Sequence, residues 1–282
     1  MGLPKLTEPG PWQQCYEDQD VRTLAEWGIT GPIETVRLVP VEKPRELREL
    51  DYKVASYWEK LAAEITAKGG KPRNGIFHGV ANMDAIDVDG KTLVIGTYQA
   101  DFATLRFKLD ELFPDQGQEP QLTAEEKGIL QDFFHILGVS ALTQSAQGLY
   151  LFGRVQKDNF LKGGMTEYVP QGFLDRRQND HDPNVNAYDQ ELLKELEEET
   201  SLTPDAIEAR DITRIIVSDI YSNLTVLSEI RLRIGYDERT QLSREHDSLV
   251  WYTRPEILEI HERRHTSLVP TVPRLFEKSE SV

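Results

Sequence analysis

The sequence predicts an α/β fold for the larger, C-terminal part of the chain, preceded by a smaller α+β region. Two observations support this prediction: short runs with strand-like alternation recur along the chain, and stretches with helical periodicity lie between them. A turn-rich stretch at residues 112–123 separates the two parts. We therefore divide the chain into a turn-rich extension, a small α+β domain and a larger α/β domain, at residues 1–33, 34–122 and 123–282.

The small domain is expected to contain an antiparallel sheet beside one helix. Residues 35–41 alternate like a short strand, and residues 47–65 repeat apolar side chains on one helical face. Residues 76–83 and 92–98 are the next strand candidates. The dipeptide Asp89-Gly90 precedes the second of them and is a strong signal for a tight hairpin.

A cluster of polar and aromatic residues follows this sheet. It consists of Tyr98, Asp101, Phe102, Thr104 and Arg106. A stacking ring and a basic group in such a cluster could contact a nucleotide. The alternative, which we favour from sequence, is that these residues form a structural edge of the sheet.

The large domain begins with a helix and continues as alternating strands and helices. Thr123 and Glu126 have the spacing of a capping box. Residues 187–200 are strong helix formers, with Asn186 as the expected cap and Pro204 shortly after the end. Other strands are predicted at 138–142, 149–155, 169–175 and 228–234, with a closing helix at 255–259.

The composition excludes several classes of function. The net charge of −16 argues against non-specific nucleic-acid binding and against an anionic membrane surface, which both need a basic footprint. It does not exclude a small phosphate-bearing substrate, because a divalent cation can bridge two sets of negative groups. A surface that keeps the protein in solution explains most of the charge equally well.

The single cysteine, Cys15, cannot form an internal disulfide and has no neighbouring histidine. The first residues lack the apolar core of a secretion signal, and no stretch has the apolar length of a membrane span. A cytoplasmic location is therefore expected.

The most informative segment is the helix at 187–200 (AYDQELLKELEEET). Glu195, Glu198 and Glu199 are spaced i, i+3 and i+4, so that they project from one side, and Glu191 lies one turn before them. Like charges four residues apart destabilise a helix by about 0.2–0.5 kcal/mol per pair. A hard divalent cation with oxygen ligands would remove this repulsion. The alternative is a solvated acidic face.

This helix and the segments around it resemble the Nudix family. The Nudix box has the pattern Gly, five residues, Glu, seven residues, Arg-Glu-apolar-any-Glu-Glu-any-Gly-apolar. Residues 194–202 (KELEEETSL) are similar to its second half, and residues 169–175 (VPQGFLD) to its opening turn. The resemblance covers about residues 137–262. It implies an α/β/α sandwich with a mixed sheet for the large domain.

The resemblance also implies a catalytic site. Glu195, Glu198 and Glu199 would hold Mg²⁺ or Mn²⁺ against a diphosphate, and the metal would activate a water molecule. A further acid, Glu245 with Asp247 as the second choice, would come from the segment 244–252 (REHDSLVWY). The neighbouring histidine is expected to be an exposed turn residue. Substrate contacts are expected from Arg154, Gly172 and Lys194.

The chain departs from the family pattern in four ways. The distance from Gly172 to Lys194 is 22 residues instead of 14, an insertion of eight. Asn186 stands where the first glutamate is expected, Lys194 replaces arginine, and Ser201 replaces the late glycine. Lysine keeps the positive charge but loses the planar fork of arginine. These departures support the alternative that the domain binds nucleotides without turning them over.

The resemblance suggests a nucleoside diphosphate linked to another group as the substrate, either a nucleotide sugar or ADP-ribose. Some family members carry an additional N-terminal region that serves dimerisation or recognition of the substrate. A homodimer is therefore one expected assembly of this chain.

Overall fold

The computed structural model describes residues 21–23, 33–112, 114, 121–157, 164–176, 186–218, 223–235 and 246–263. The strands are β1 Val21–Thr23, β2 Thr35–Pro40, β3 Ile76–Val80, β4 Ile86–Asp89, β5 Thr92–Asp101, β6 His135–Gln144, β7 Tyr150–Val155, β8 Thr166–Tyr168, β9 Gln171–Phe173, β10 Ile207–Ser218, β11 Asn223–Leu232 and β12 His246–Tyr252. The helices are α1 Arg45–Glu49, α2 Asp51–Ala67, α3 Phe102–Leu112, α4 Ala124–Phe133, α5 Ala187–Thr200 and α6 Arg254–Arg263.

The described strands join in one mixed sheet whose main path runs β1-β10-β11-β6-β3-β5-β2. The pairs β6–β11 and β2–β5 are parallel, whereas the other neighbours along this path are antiparallel. Strand β6 is central, because it also pairs with β7 and β9. This arrangement brings β9 beside the strand that carries much of the core.

Helices cover both faces of the sheet. Leu137 and Val139 of β6 pack with Leu192 and Leu196 of α5 in one core cluster. Ile136, which points to the opposite side of β6, packs with residues of α1 to α4 in a second cluster. A third cluster joins Leu142 of β6 to α6. We call the two sides the α5 face and the α2 face, and together they confirm the predicted α/β/α sandwich with a mixed sheet.

Several local predictions from the sequence are confirmed. The capping box at Thr123 and Glu126 is present at the start of α4. Strands β4 and β5 pair across the Asp89-Gly90 turn, where Gly90 has a φ of +62°. Asn186 caps α5 by accepting a hydrogen bond from the backbone N–H of Asp189. These features are local, so the sequence signals them directly.

Other local predictions were wrong or incomplete. The polar-aromatic cluster predicted as a sheet edge contains the start of a helix, α3, because Asp101 Oδ1 accepts from the backbone N–H of Thr104 and caps it. The single helix predicted at 47–65 is two helices separated at Leu50. The long strand β10 was not predicted, and its register shifts relative to β11 interrupt a regular alternation.

The two predicted domains share both sheet and core. Strand β3 of the smaller region pairs with β6 of the larger one, and Leu93 and Leu196 belong to the same core cluster. The division after residue 122 remains a proposal about chain organisation. Within the described part of the chain, no helix combines the length and apolar character needed to cross a membrane.

Candidate functional site

The acidic helix α5 is fixed to the sheet by its apolar stripe. Leu192 and Leu196 are completely buried in the core on the α5 face. The helix ends at Ser201, which takes a left-handed conformation with a φ of +58° and donates its backbone N–H to the Glu197 carbonyl. A left-handed residue at this position is a common way to end a helix, and glycine adopts it most readily. Ser201 therefore occupies a position that favours glycine.

Two polar contacts at the start of α5 fix its rotation. The guanidinium of Arg210 on β10 binds the carboxylate of Asp189 through both terminal nitrogens. Tyr188 is buried, and its hydroxyl is 2.7 Å from the Ser228 hydroxyl on β11. Burial raises the pKa of Tyr188 and lowers the pKa of Arg210. Because these contacts join α5 to two strands, the direction of the glutamate side chains is determined by the sheet.

Two of the predicted metal ligands point toward strand β9. Glu199 is 3% exposed, and its Oε2 accepts a hydrogen bond of 3.3 Å from the backbone N–H of Gln171. Glu195 lies over Gly172, where a Cβ atom would stand 2.4 Å from the Glu195 Oε1 atom. Glycine at 172 leaves the room that this close approach uses, and a larger residue would make the Glu195 side chain move. The geometry brings the carboxylates of Glu195 and Glu199 to two consecutive residues of one strand.

Lys194 is held between two glutamates on the same helix. Its Nζ atom donates to Glu191 Oε1 at 2.7 Å and lies 4.0 Å from Glu195 Oε1. Burial alone lowers the pKa of Lys194. The hydrogen bond and charge of Glu191, with the charges of Glu195 and Glu198, outweigh burial and raise this pKa. Lys194 is thus a cation at neutral pH, and Glu191 is a residue of the site to which the sequence analysis gave no role.

The remaining glutamates of the helix point outward. Glu197 and Glu198 are both exposed. The spacing along the helix predicted that Glu198 would lie with Glu195 and Glu199. In the structure, β9 contacts Glu195 and Glu199, whereas Glu198 is exposed. Within the described part of the chain, no group of three or more His, Cys, Asp or Glu side chains is arranged to hold a metal ion. A metal role for Glu198 remains a prediction.

Arg154 lies on β7 with its side chain on the α2 face. It pairs with Ser248 on β12 and Thr166 on β8. Because it is two residues from Phe152 on the same strand, its side chain points to the same side as Phe152, which belongs to the cluster that contacts α6. The positive charge of Arg154 also opposes the rise in the pKa of Tyr252 that burial causes. Because α5 packs on the other face, this placement gives no support to the predicted contact between Arg154 and the phosphates.

The predicted additional acid, Glu245, lies outside the described residues. Its neighbour His246 is described, and the expectation of an exposed turn histidine was wrong. His246 is 2% exposed, and its Nε2 atom lies 3.2 Å from Oε1 of the buried Glu167. The imidazole fits over Gly153, where a Cβ would stand 2.3 Å from the ring. The sequence offered no signal for this pair beyond Gly153 within a strand, which marks a close approach.

The carboxylates of Glu195 and Glu199 fit the chemistry of a hard divalent cation. Mg²⁺ takes oxygen ligands, and proteins commonly hold it with one or two carboxylates together with the phosphates of the substrate. A buried carboxylate is costly unless it is paired or bound to a metal. The donor set on α5 is therefore suitable for Mg²⁺ or Mn²⁺.

Comparison with known proteins gives similarity at the level of structure. No family model matches the chain, and no curated protein matches it. The chain is similar to the protein DR0079 from Deinococcus radiodurans, with 16% identity, a TM-score of 0.43, and coverage of 72% of this chain and 99% of that chain. It is also similar to the MutT protein from Methanosarcina mazei, with 18% identity, a TM-score of 0.34, and coverage of 51% and 96%.

A third solved structure is named as a Nudix domain. It is the Nudix domain of NrtR from Shewanella oneidensis in complex with ADP-ribose. The identity is 18% and the TM-score is 0.34, with 57% of this chain and 91% of that chain covered. A Nudix domain is therefore among the solved structures to which this chain is similar.

Proposed function

We propose that the protein is a Nudix-type hydrolase that uses Mg²⁺ or Mn²⁺ to cleave the diphosphate bond of a nucleoside diphosphate linked to another group. Nucleotide sugars and ADP-ribose are the first candidate substrates. The observation that carries the proposal is the packing of Glu195 and Glu199 against Gln171 and Gly172 of β9. These are the residues that resemble the glutamates and the opening glycine of the Nudix box.

The side chains of α5 would act mainly by positioning and charge. Glu195 and Glu199 would hold the metal on the β9 side of the helix, and Glu198 on the exposed side would complete the donor set or contact metal-bound water. When bound, the metal polarises a phosphorus–oxygen bond and lowers the pKa of a bound water. Lys194, held by Glu191, would help to orient Glu195 through its positive charge.

The reaction requires a water oxygen to attack one phosphorus while the bridging bond of the diphosphate breaks. The leaving phosphate takes the electron pair of that bond, and a base takes the proton of the attacking water. We assign the base to Glu245. The chemistry otherwise depends on positioning and on neutralising negative charge, which explains how a few carboxylates and a cation suffice.

A metal-dependent substrate panel tests this proposal. Purified full-length protein is incubated with ADP-ribose and with a set of nucleotide sugars, with Mg²⁺, with Mn²⁺ or with a chelator. We expect release of nucleoside monophosphate from at least one substrate with metal and none with chelator. Release that is equally fast with chelator would contradict the metal role.

A second candidate is a Nudix-type module that binds nucleotides and does not hydrolyse them. It is favoured by the exposure of Glu198 and by the absence of a three-residue metal group within the described part of the chain. This candidate predicts that ADP-ribose or a nucleotide sugar raises the melting temperature without forming product. Product formation with metal would exclude it.

A further inference from the structure

A cavity of about 620 Å³ lies on the α2 face, away from the acidic helix. Its walls come from α2, from the end of β5 and from the start of α3. Val54, Tyr98 and Ala103 in these walls belong to the core cluster of the α2 face, whereas Leu192 and Leu196 of α5 belong to the cluster on the other face. The volume is in the range of small-molecule sites. The cavity is thus separate from the carboxylates that carry the proposed hydrolysis.

The charges around the cavity are balanced. Lys43 and Arg176 contribute two positive charges, and Asp51 and Asp101 contribute two negative ones. Lys43 and Asp51 are already joined by an ion pair of 2.6 Å. A ligand with several phosphates would need an excess of positive charge in its site. The balance therefore favours a ligand without net charge.

One wall offers a planar aromatic surface. Trp58 on α2 is half-buried, and its ring meets Phe102 at a centroid distance of 6.3 Å and an angle of 83°. This edge-to-face contact fixes the plane of the indole. Tyr98, by contrast, is buried, and its hydroxyl donates to the Phe133 carbonyl. Trp58 is therefore the ring in the wall on which a flat ligand can stack.

Opposed hydrogen-bonding groups lie beside this ring. Asp101 Oδ1 accepts from both the backbone N–H and the hydroxyl of Thr104, at 2.8 Å and 2.7 Å. Asn74 also lines the cavity, and its Oδ1 accepts from the Ala103 backbone N–H. These bonds hold a carboxylate, a hydroxyl and an amide in fixed positions. Such groups match the donors and acceptors along the edge of a nucleobase and on a ribose.

We propose that this cavity binds a nucleoside, that is, an uncharged planar base carried on a ribose, at a site separate from α5. The base stacks on Trp58, and the carboxylate of Asp101, held in place by Thr104, accepts a hydrogen bond from the edge of the base. Arg106, the basic residue that the sequence suggested for this cluster, instead pairs with Asp110 at 3.0 Å. Neither the metal nor the hydrolysis of a diphosphate enters this proposal.

Calorimetric titration of the full-length protein with adenosine, guanosine, cytidine and uridine, in the presence of a chelator, tests the site. At least one nucleoside should bind. Trp58→Ala should weaken that binding by about tenfold or more, as expected when a stacking ring is removed. Trp58→Phe keeps a ring in the core and should weaken binding less. Tyr52→Ala is the matched control, because Tyr52 is 69% exposed on the same helix and does not line the cavity.

A second variant examines the hydrogen bonds. Asp101→Asn keeps a good helix cap and replaces one acceptor oxygen by an amide donor, so the order of affinities among the four nucleosides should change. AMP should bind no more tightly than adenosine. The proposal is overturned if no nucleoside binds, if Trp58→Ala binds as the wild type does, if Asp101→Asn leaves the order unchanged, or if AMP binds tenfold more tightly. Because no metal is present, these failures leave the proposed hydrolysis untouched.

Discussion

The carboxylates on the two faces of the sheet differ in the number of positively charged partners available to them. On the α2 face, three carboxylates are each matched by one cation: Lys53–Glu126 and Lys43–Asp51 at 2.6 Å, and Arg106–Asp110 at 3.0 Å. On the α5 face, the acidic helix carries six carboxylates: Arg210 of β10 matches Asp189, and the one lysine of the helix is shared by Glu191 and Glu195.

This difference indicates that charge has separate roles on the two faces. A matched surface pair contributes at most about 1 kcal/mol and needs no further partner. Crowded carboxylates that are buried against a strand raise the free energy of the folded state unless hydrogen bonds or cations compensate them, and a metal ion can join several of them at once. The excess of negative charge on α5 is therefore the feature that favours a metal site over an ordinary acidic surface.

The largest expected effect comes from neutralising a single buried carboxylate. Glu199→Gln keeps the shape and the bond from Gln171, but removes the charge. The hydrolysis rate should fall by about 10³-fold or more, because a metal supplies several kcal/mol of stabilisation to the transition state and about 1.4 kcal/mol is a factor of ten. The rate is measured as release of nucleoside monophosphate at saturating Mg²⁺.

The matched control is Glu197→Gln, which removes the same charge from an exposed position of the same helix. It should change the rate less than twofold. If Glu199→Gln and Glu197→Gln lose activity equally, the hydrolysis rate depends on the total charge of the helix, and the position of Glu199 beside β9 has no special role.

The approach of α5 to β9 can be disturbed without changing any charge. In Gly172→Ala, the new methyl group would stand 2.4 Å from the Glu195 carboxylate and push it away from the strand. We expect a loss of about 1–3 kcal/mol in the free energy of unfolding, together with reduced hydrolysis. Urea denaturation measures the first and the substrate assay the second.

Gly128→Ala is the control for this substitution. Gly128 lies within α4, and a Cβ there would meet nothing within 4 Å. This variant should stabilise the protein by about 0.5–1 kcal/mol, because alanine favours the helix. An equal loss of stability in both variants would show that the contact with Glu195 is not the cause.

Glu167 pairs with Gly153, whose neighbour Phe152 points to the α2 face, so the buried pair of Glu167 and His246 lies on the α5 face and gives a third test there. Glu167→Ala removes a buried hydrogen bond of 3.2 Å and should lower the free energy of unfolding by about 1–3 kcal/mol. Glu208→Ala, on an exposed position of β10, should change it by less than about 0.5 kcal/mol. Urea denaturation measures both changes. If Glu167→Ala lowers the free energy of unfolding as little as Glu208→Ala does, the pair does not stabilise the fold.

The sequence predicted the local features of the site and missed its tertiary ones. Helical propensity and the cap at Asn186 located α5. The spacing of Glu195, Glu198 and Glu199 does not depend on where β9 packs, so it could not show which of them face that strand. Only the packing of β9 separates two of them from the exposed Glu198. The cap at Asp101 did carry a local signal, an acid three residues before Thr104, which could have identified α3.

The smallest expected effect is on the α2 face and depends on pH. The hydrogen bonds from Lys53 and from the Thr123 backbone lower the pKa of Glu126 below its ordinary value of 4.5. A pKa that is lower in the folded state stabilises the protein above pH 4.5, and this stabilisation is lost as the pH falls through the lowered value. The difference in unfolding free energy between wild type and Glu126→Gln should be at most about 1 kcal/mol at neutral pH and should shrink in acid. A difference that is independent of pH would contradict the assignment.

Direct measurement of Mn²⁺ binding by electron paramagnetic resonance tests the central claim, that carboxylates on the β9 side of α5 bind a divalent cation. Wild type and Glu197→Gln should bind Mn²⁺ with the same affinity, whereas the double variant Glu195→Gln and Glu199→Gln should lose that binding while its circular dichroism spectrum is unchanged. A wild-type protein that binds no Mn²⁺, or a double variant that binds it as well as the wild type does, would contradict the account.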